Sequence, residues 1–92
     1  MAPGVRRRVQ VAGRVQGVWF RDTCRRVAEG HGVAGWVRNL PDGRVEAVFE
    51  GDPDAVAAVL QWCHVGPANA VVTGVEVAEE EPRGATAFEV RR

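Results

Sequence analysis

Repeated changes in hydrophobic period constrain this chain more than any other feature. From Arg8 to Gly13 the residues alternate, with Val9 and Val11 on one side and Arg8, Gln10 and Ala12 on the other, which predicts a half-buried strand. A glycine-containing turn from Gly13 to Trp19 follows. Phe20, Cys24, Val27 and Ala28 then fall on one face of a helix that begins near Phe20 and ends at Gly30 or Gly32. Alternation returns over Val33–Asn39 and again over Arg44–Glu50, where Val45, Ala47 and Phe49 point inward. Leu40-Pro41-Asp42-Gly43 joins these two strands as a hairpin, with Asp-Gly as its strongest turn signal.

Asp52 and Pro53 supply an N-cap and a first-turn proline for a second helix. Its apolar stripe is Val56, Val59, Leu60 and Cys63, and Gly66-Pro67 closes it. A fourth strand is predicted over Val71–Val77, with Val71, Thr73, Val75 and Val77 on one face. Glu79 to Gly84 reads as an exposed loop with a solvated Glu79-Glu80-Glu81 run, and Phe88–Arg91 as a short last strand.

The predicted order is β-α-β-β-α-β plus a short C-terminal strand. One-sided strands and one-sided helices imply an α+β fold of two layers. The natural solution is the split βαβ, or ferredoxin-like, sandwich, with two helices on one face of a mostly antiparallel sheet. Ninety-two residues fit a single domain over 1–92, with residues 1–6 as a loose N-terminal extension. In such a unit the first two strands run parallel with the helix returning between them. The turn Gly13–Trp19, the helix start at Phe20-Arg21 and the strand end at Arg38-Asn39 therefore meet at one sheet edge.

Composition narrows the chemistry available there. The chain contains no Ser, Lys, Tyr or Ile, which excludes serine, lysine and tyrosine nucleophiles and the lysine of a Walker-type phosphate loop. Twelve Arg balance eight Glu and four Asp, so net charge is zero and basic work falls to guanidinium groups. That balance argues against a strongly basic nucleic-acid or membrane-surface binder. No apolar run approaches the ~20 residues that span a bilayer, and no apolar stretch follows the charged N-terminus as in a signal peptide. A cytoplasmic protein is expected. Cys24 and Cys63 match no CxxC spacing and each falls on the apolar face of a predicted helix, so both read as buried thiols.

Two segments at the converging edge have chemical potential. Gly13-Arg14-Val15-Gln16-Gly17-Val18-Trp19-Phe20-Arg21 is a glycine-bounded loop entering a helix, where backbone N–H groups and the helix dipole favour an anion. Arg21 in the first turn opposes that dipole unless a bound phosphate lies between the arginine and the amides. The same residues also fit an ordinary strand-to-helix turn with a solvated arginine. Asn39 ends its strand at this edge, where its amide can donate to a phosphoryl oxygen and accept from water; it also fits a simple turn residue.

Gly13 to Arg21, followed by Gly-Trp-Val-Arg-Asn at 35–39 and Asp-Gly at 42–43, resembles the acylphosphatase family. The resemblance runs on through Gly66-Pro67 to Phe88-Glu89-Val90-Arg91, nearly the whole chain; Trp19 occupies a variable position. It implies metal-free, cofactor-free hydrolysis of a carboxylic–phosphoric anhydride, a small-molecule acyl phosphate, to carboxylate and orthophosphate. By that resemblance Arg21 binds the phosphoryl group and Asn39 orients the attacking water. Arg14, Val15, Gln16, Gly17, Val18 and Trp19 supply backbone donors. A free-standing monomer is the expectation.

Competing signals are weaker. Gly30-His31-Gly32-Val33-Ala34-Gly35 spells GxGxxG but follows a helix and opens a strand, the reverse of the dinucleotide-binding context. Cys63 and His64 point ~100° apart on a helix and do not chelate together, so no metal site is expected. RNA-recognition domains share this element order but need alternating aromatics on the third strand. Here that strand is Arg-Val-Glu-Ala-Val-Phe-Glu, with one aromatic and two carboxylates, so no nucleic-acid partner is expected. The remaining alternative is a non-catalytic ferredoxin-like regulatory module that binds an anion or small ligand without turnover.

Overall fold

In a computed structural model, which describes residues 4–92, the periodic segments become seven elements. These are β1 (Val5–Arg14), α1 (Phe20–Gly30), β2 (Ala34–Asn39), β3 (Val45–Gly51), α2 (Pro53–Cys63), β4 (Val71–Glu80) and β5 (Phe88–Val90). The strands form one sheet in the order β4-β1-β3-β2-β5, antiparallel except for the β2–β5 pair. Both helices pack on one face, giving the two-layer ferredoxin-like α+β arrangement.

The core is assembled from the alternating and helical stripes. Val9, Val11, Val37, Val45, Ala47 and Phe49 from the sheet meet Phe20, Cys24 and Ala28 of α1 and Val56, Val59 and Cys63 of α2. A fully buried valine contributes about 1.5–3 kcal/mol relative to exposure, so this valine-rich layer carries much of the stability. Phe49 stacks on Phe88 at 5.8 Å, tying the short β5 to the sheet's centre, and Phe20 meets Trp62 at 5.1 Å between the helices. Cys24 and Cys63 are buried free thiols. Burial pushes the Cys63 thiol up to about 12, and burial, with the neighbouring Cys63, pushes Cys24 well above its ordinary value.

The structure departs from the sequence reading at three places. The loose extension expected over 1–6 is shorter, because Val5 and Arg6 belong to β1, opposite Gly51 and Glu50 of β3; residues 1–3 lie outside the described residues. In β4 the expected face breaks at a bulge: Ala12 pairs with Gly74 but Gly13 pairs with Val72, skipping Thr73. Gly13 permits this with φ 119 and no side chain, since a Cβ there would collide with the Val71 carbonyl. Val72 consequently packs on the core and Val71 is exposed; beyond the bulge Val75 packs on the core as expected, while Val77, on the same face, is exposed. Finally, β4 runs on to Glu80, so Glu79 and Glu80 are strand residues rather than part of a solvated loop.

Glu80 is drawn in by arginines on the helix-free face. Its carboxylate accepts from Arg6 Nε at 2.9 Å and Arg8 Nε at 2.6 Å. Arg6 also reaches Glu50 at 3.0 Å, and Glu46 is shared by Arg8 at 3.3 Å and Arg38 at 2.6 Å. Over the buried Trp36 ring stand the guanidinium groups of Arg8, Arg38 and Arg91, at 5.4, 5.1 and 4.8 Å from its centroid. The face without helices is thus covered by charge pairs rather than left as bare apolar sheet.

Candidate active site

The bulge at Gly13 and the left-handed Gly17 (φ 73) fold the β1–α1 connection back over the sheet edge. A Cβ on Gly17 would meet nothing within 4 Å, so the backbone conformation, not space, demands glycine there. Val15 and Val18 anchor the loop by burying their side chains in the core. The Gln16 carboxamide donates to the carbonyls of Leu40 at 2.8 Å and Arg44 at 3.0 Å, clamping the loop to the β2–β3 turn. Trp19 then enters α1 in the left-handed region, φ 64 and ψ 24, and provides no side-chain cap.

This leaves donors without acceptors. Among the described residues, the amides of Gln16 through Asp22 donate to no backbone or side-chain acceptor. Helix α2 differs: its Asp52 carboxylate accepts from the amides of Asp54 at 3.1 Å and Ala55 at 3.3 Å. The start of α1 therefore presents uncompensated N–H groups and about half a positive charge from the helix dipole.

A cavity of about 530 Å³ opens at this point, and Arg21 and Asn39 both line it although they come from α1 and β2. Arg21 Nη1 donates to the Arg91 carbonyl at 3.2 Å, which ties the guanidinium to the segment after β5. Asn39 Oδ1 is buried without a hydrogen-bond partner, the one such side-chain atom among the described residues. A buried acceptor left this way costs about 1–3 kcal/mol, a cost consistent with a site kept for a donor from outside the chain. Asp22, the one acidic side chain on the wall among the described residues, is paired with Arg25 at 3.3 Å and Arg26 at 3.2 Å.

Of the loop residues singled out in the sequence, Val15, Gly17 and Trp19 line the cavity with Arg21 and Asn39. Arg14 is exposed at the end of β1, the Gln16 side chain is engaged by the turn, and the Val18 side chain is in the core. Wall residues outside that set are Phe20, Asp22, Arg25, Val90 and Arg92. Helical spacing after Arg21 points to Arg25 at i+4, whereas Asp22 is only its chain neighbour. Val90 and Arg92 arrive only through the parallel pairing of β5 with β2, which has no local signature. Among the described residues no group of three or more His, Cys, Asp and Glu is placed to hold a metal ion.

The chain is similar to known proteins along nearly its whole length. The acylphosphatase family model matches residues 7–90. The chain is 60% identical over 92 residues to an acylphosphatase of Gloeobacter violaceus, covering all of this chain and 99% of that protein. It is 66% identical over 86 residues to one of Rubrobacter xylanophilus, covering 91% of this chain and 77% of the relative. Among solved structures, an acylphosphatase from Coxiella burnetii superposes with a TM-score of 0.93 at 37% identity, over 97% of this chain and 94% of that one.

Proposed function

Because this chain belongs to the acylphosphatase family and hydrolyses acyl phosphates, we propose that the open edge of the sheet is where the anhydride is cleaved. The phosphoryl group lies against the free amides at the start of α1, from the Arg14–Trp19 loop into the first turn, with Arg21 closing over it. Asn39 Oδ1 accepts a hydrogen bond from one O–H of the attacking water and holds that water in line with the scissile bond. The new P–O bond forms to water as the P–O bond to the acyl group breaks, and the acyl group departs as a carboxylate.

A carboxylate is a good leaving group, so no strong general acid is required. Phosphoryl transfer asks chiefly for positioning and charge stabilisation, and fixed amides plus one guanidinium supply both without a metal. Asp22, the one acidic side chain on the cavity wall among the described residues, is paired to two arginines and so is a poor base. An oxygen of the substrate's own phosphate takes the water's proton, giving orthophosphate. The observation that carries this reading is the row of unpaired amides sharing one cavity with Arg21 and the unpartnered Asn39 oxygen.

The experiment is phosphate release from benzoyl phosphate in excess chelator by wild type, Arg21→Ala and Asn39→Ala. Turnover by wild type and its loss in both variants is expected. Asn39→Ala is expected to unfold no more easily than wild type, since it removes an unsatisfied buried acceptor. Phosphate binding without turnover would return the site to the regulatory alternative. We further read the protein as a cytoplasmic monomer that engages neither nucleic acid nor membrane. Free buried thiols suit a reducing compartment, and Glu46 and Glu50 of β3 are occupied in ion pairs. Among the described residues no helix is long and apolar enough to cross a membrane. Sedimentation velocity tests the monomer.

A further inference from the structure

The loop around the phosphoryl position also carries the most exposed large apolar side chain among the described residues, Trp19, at 78%. Its backbone is held in the left-handed region, which favours glycine or asparagine over a bulky residue. The indole does not serve the fold: it lies outside the core, and although the Trp19 carbonyl accepts from the Thr23 amide at 3.0 Å, its side chain caps no helix. The other two tryptophans are engaged, Trp62 with Phe20 at 5.1 Å and Trp36 beneath three arginines. What Trp19 does form is a wall of the cavity that holds Arg21 and Asn39.

In-line attack narrows which wall the acyl group meets. With water held by Asn39, the carboxylate leaves from the side of phosphorus away from Asn39, so the acyl group meets wall that Asn39 does not form. Of that wall, Gly17 adds no side chain, Arg25 is already engaged by Asp22, and Trp19 is the most exposed apolar side chain. Resting on the acyl phosphate reading above, we propose that Trp19 is the specificity-determining residue for the acyl group. Its indole face packs against the acyl portion, so that this chain selects acyl phosphates with flat, aromatic acyl groups over short aliphatic ones. The contact is made in ground state and transition state alike, so it acts on KM rather than kcat.

The test measures kcat and KM for benzoyl phosphate and acetyl phosphate with wild type, Trp19→Gly and Trp19→Phe. Glycine keeps the left-handed backbone while removing the ring. In Trp19→Gly the ratio of kcat/KM for benzoyl over acetyl phosphate is expected to fall about tenfold, carried by the benzoyl KM, and Trp19→Phe to keep most of it. An unmoved ratio, including an equal loss on both substrates, overturns this proposal alone. Wild type that hydrolyses neither substrate overturns the underlying reading and the proposal with it. Trp19→Gly is also expected to melt at or above the wild-type temperature; a lower value would mean that the indole serves the fold, against the assignment.

Discussion

Two loops of this protein use the same materials to opposite ends. In the β4–β5 loop the amides of Arg83, Gly84 and Ala85 converge on the Glu50 carboxylate at 3.0, 2.7 and 3.0 Å, and Arg6 completes the ring at 3.0 Å. In the β1–α1 loop a comparable run of amides donates to no carboxylate among the described residues, and Arg21 shares their cavity. Where the protein supplies the anion, amides and guanidinium become a structural latch. Where it withholds one, they become a binding site for an anion from outside. Burial pulls the Glu50 carboxyl upward, but the Arg83 amide, the Arg6 guanidinium and the other two amides outweigh it and hold it below the usual carboxylate range.

The contrast can be broken from either side. Arg21→Ala should lower kcat/KM by on the order of 10³ while changing stability by less than about 0.5 kcal/mol, read from urea midpoints. Glu50→Ala should do the reverse: a loss of about 3 kcal/mol in stability, from stranding Arg6 and three amides, with kcat/KM retained in the folded protein. A parallel fall in activity would show instead that the latch and the site are coupled through β5.

Acid should act on the latch in the same direction, more gradually. Glu50 and Glu46 are held below their ordinary value against the pull of burial, and Glu80 is held below it chiefly by Arg8 and then Arg6. Their stabilisation is complete above the unfolded carboxylate range and is lost as pH falls through the lower folded values. The urea midpoint should therefore be flat near neutrality and decline below about pH 4.5, with a shallower decline in Glu50→Gln. The smallest effect is ligand-induced: inorganic phosphate at ten times its Kd should add about 1.4 kcal/mol of stability. That increment should persist in Glu50→Ala and vanish in Arg21→Ala.

The open loop was far more legible in sequence than the latch. Glycines bounding a turn, an arginine in the next helical turn and an asparagine at a strand end are local signals, and β-α-β topology brings them together. Asp52 and the start of α1 at Phe20 were readable for the same reason. The latch depends on register between distant strands. Nothing around Glu79-Glu80-Glu81 indicates that the middle carboxylate meets Arg6 and Arg8, because the pairing exists only once β4 lies beside β1. The β4 face failed at one bulge, where a single skipped residue reassigned which valines reach the core. Gln16 is expected in the loop for its backbone N–H; that its carboxamide also donates to two carbonyls across the turn has no local signal, being set by tertiary geometry alone.

The sheet order also bears on how the chain acquires its structure. β1 sits between β3 and β4, and the contact of Arg6 with Glu80 joins residues 74 apart in sequence. Closing spans of that length is an entropic debt met before any of the pairing that rewards it. Folding speed is therefore governed by contact order rather than by helix formation, and substitutions that strengthen either helix alone should leave it little changed. During synthesis the first strand must wait with one edge unmatched until the residues through Glu80 have emerged.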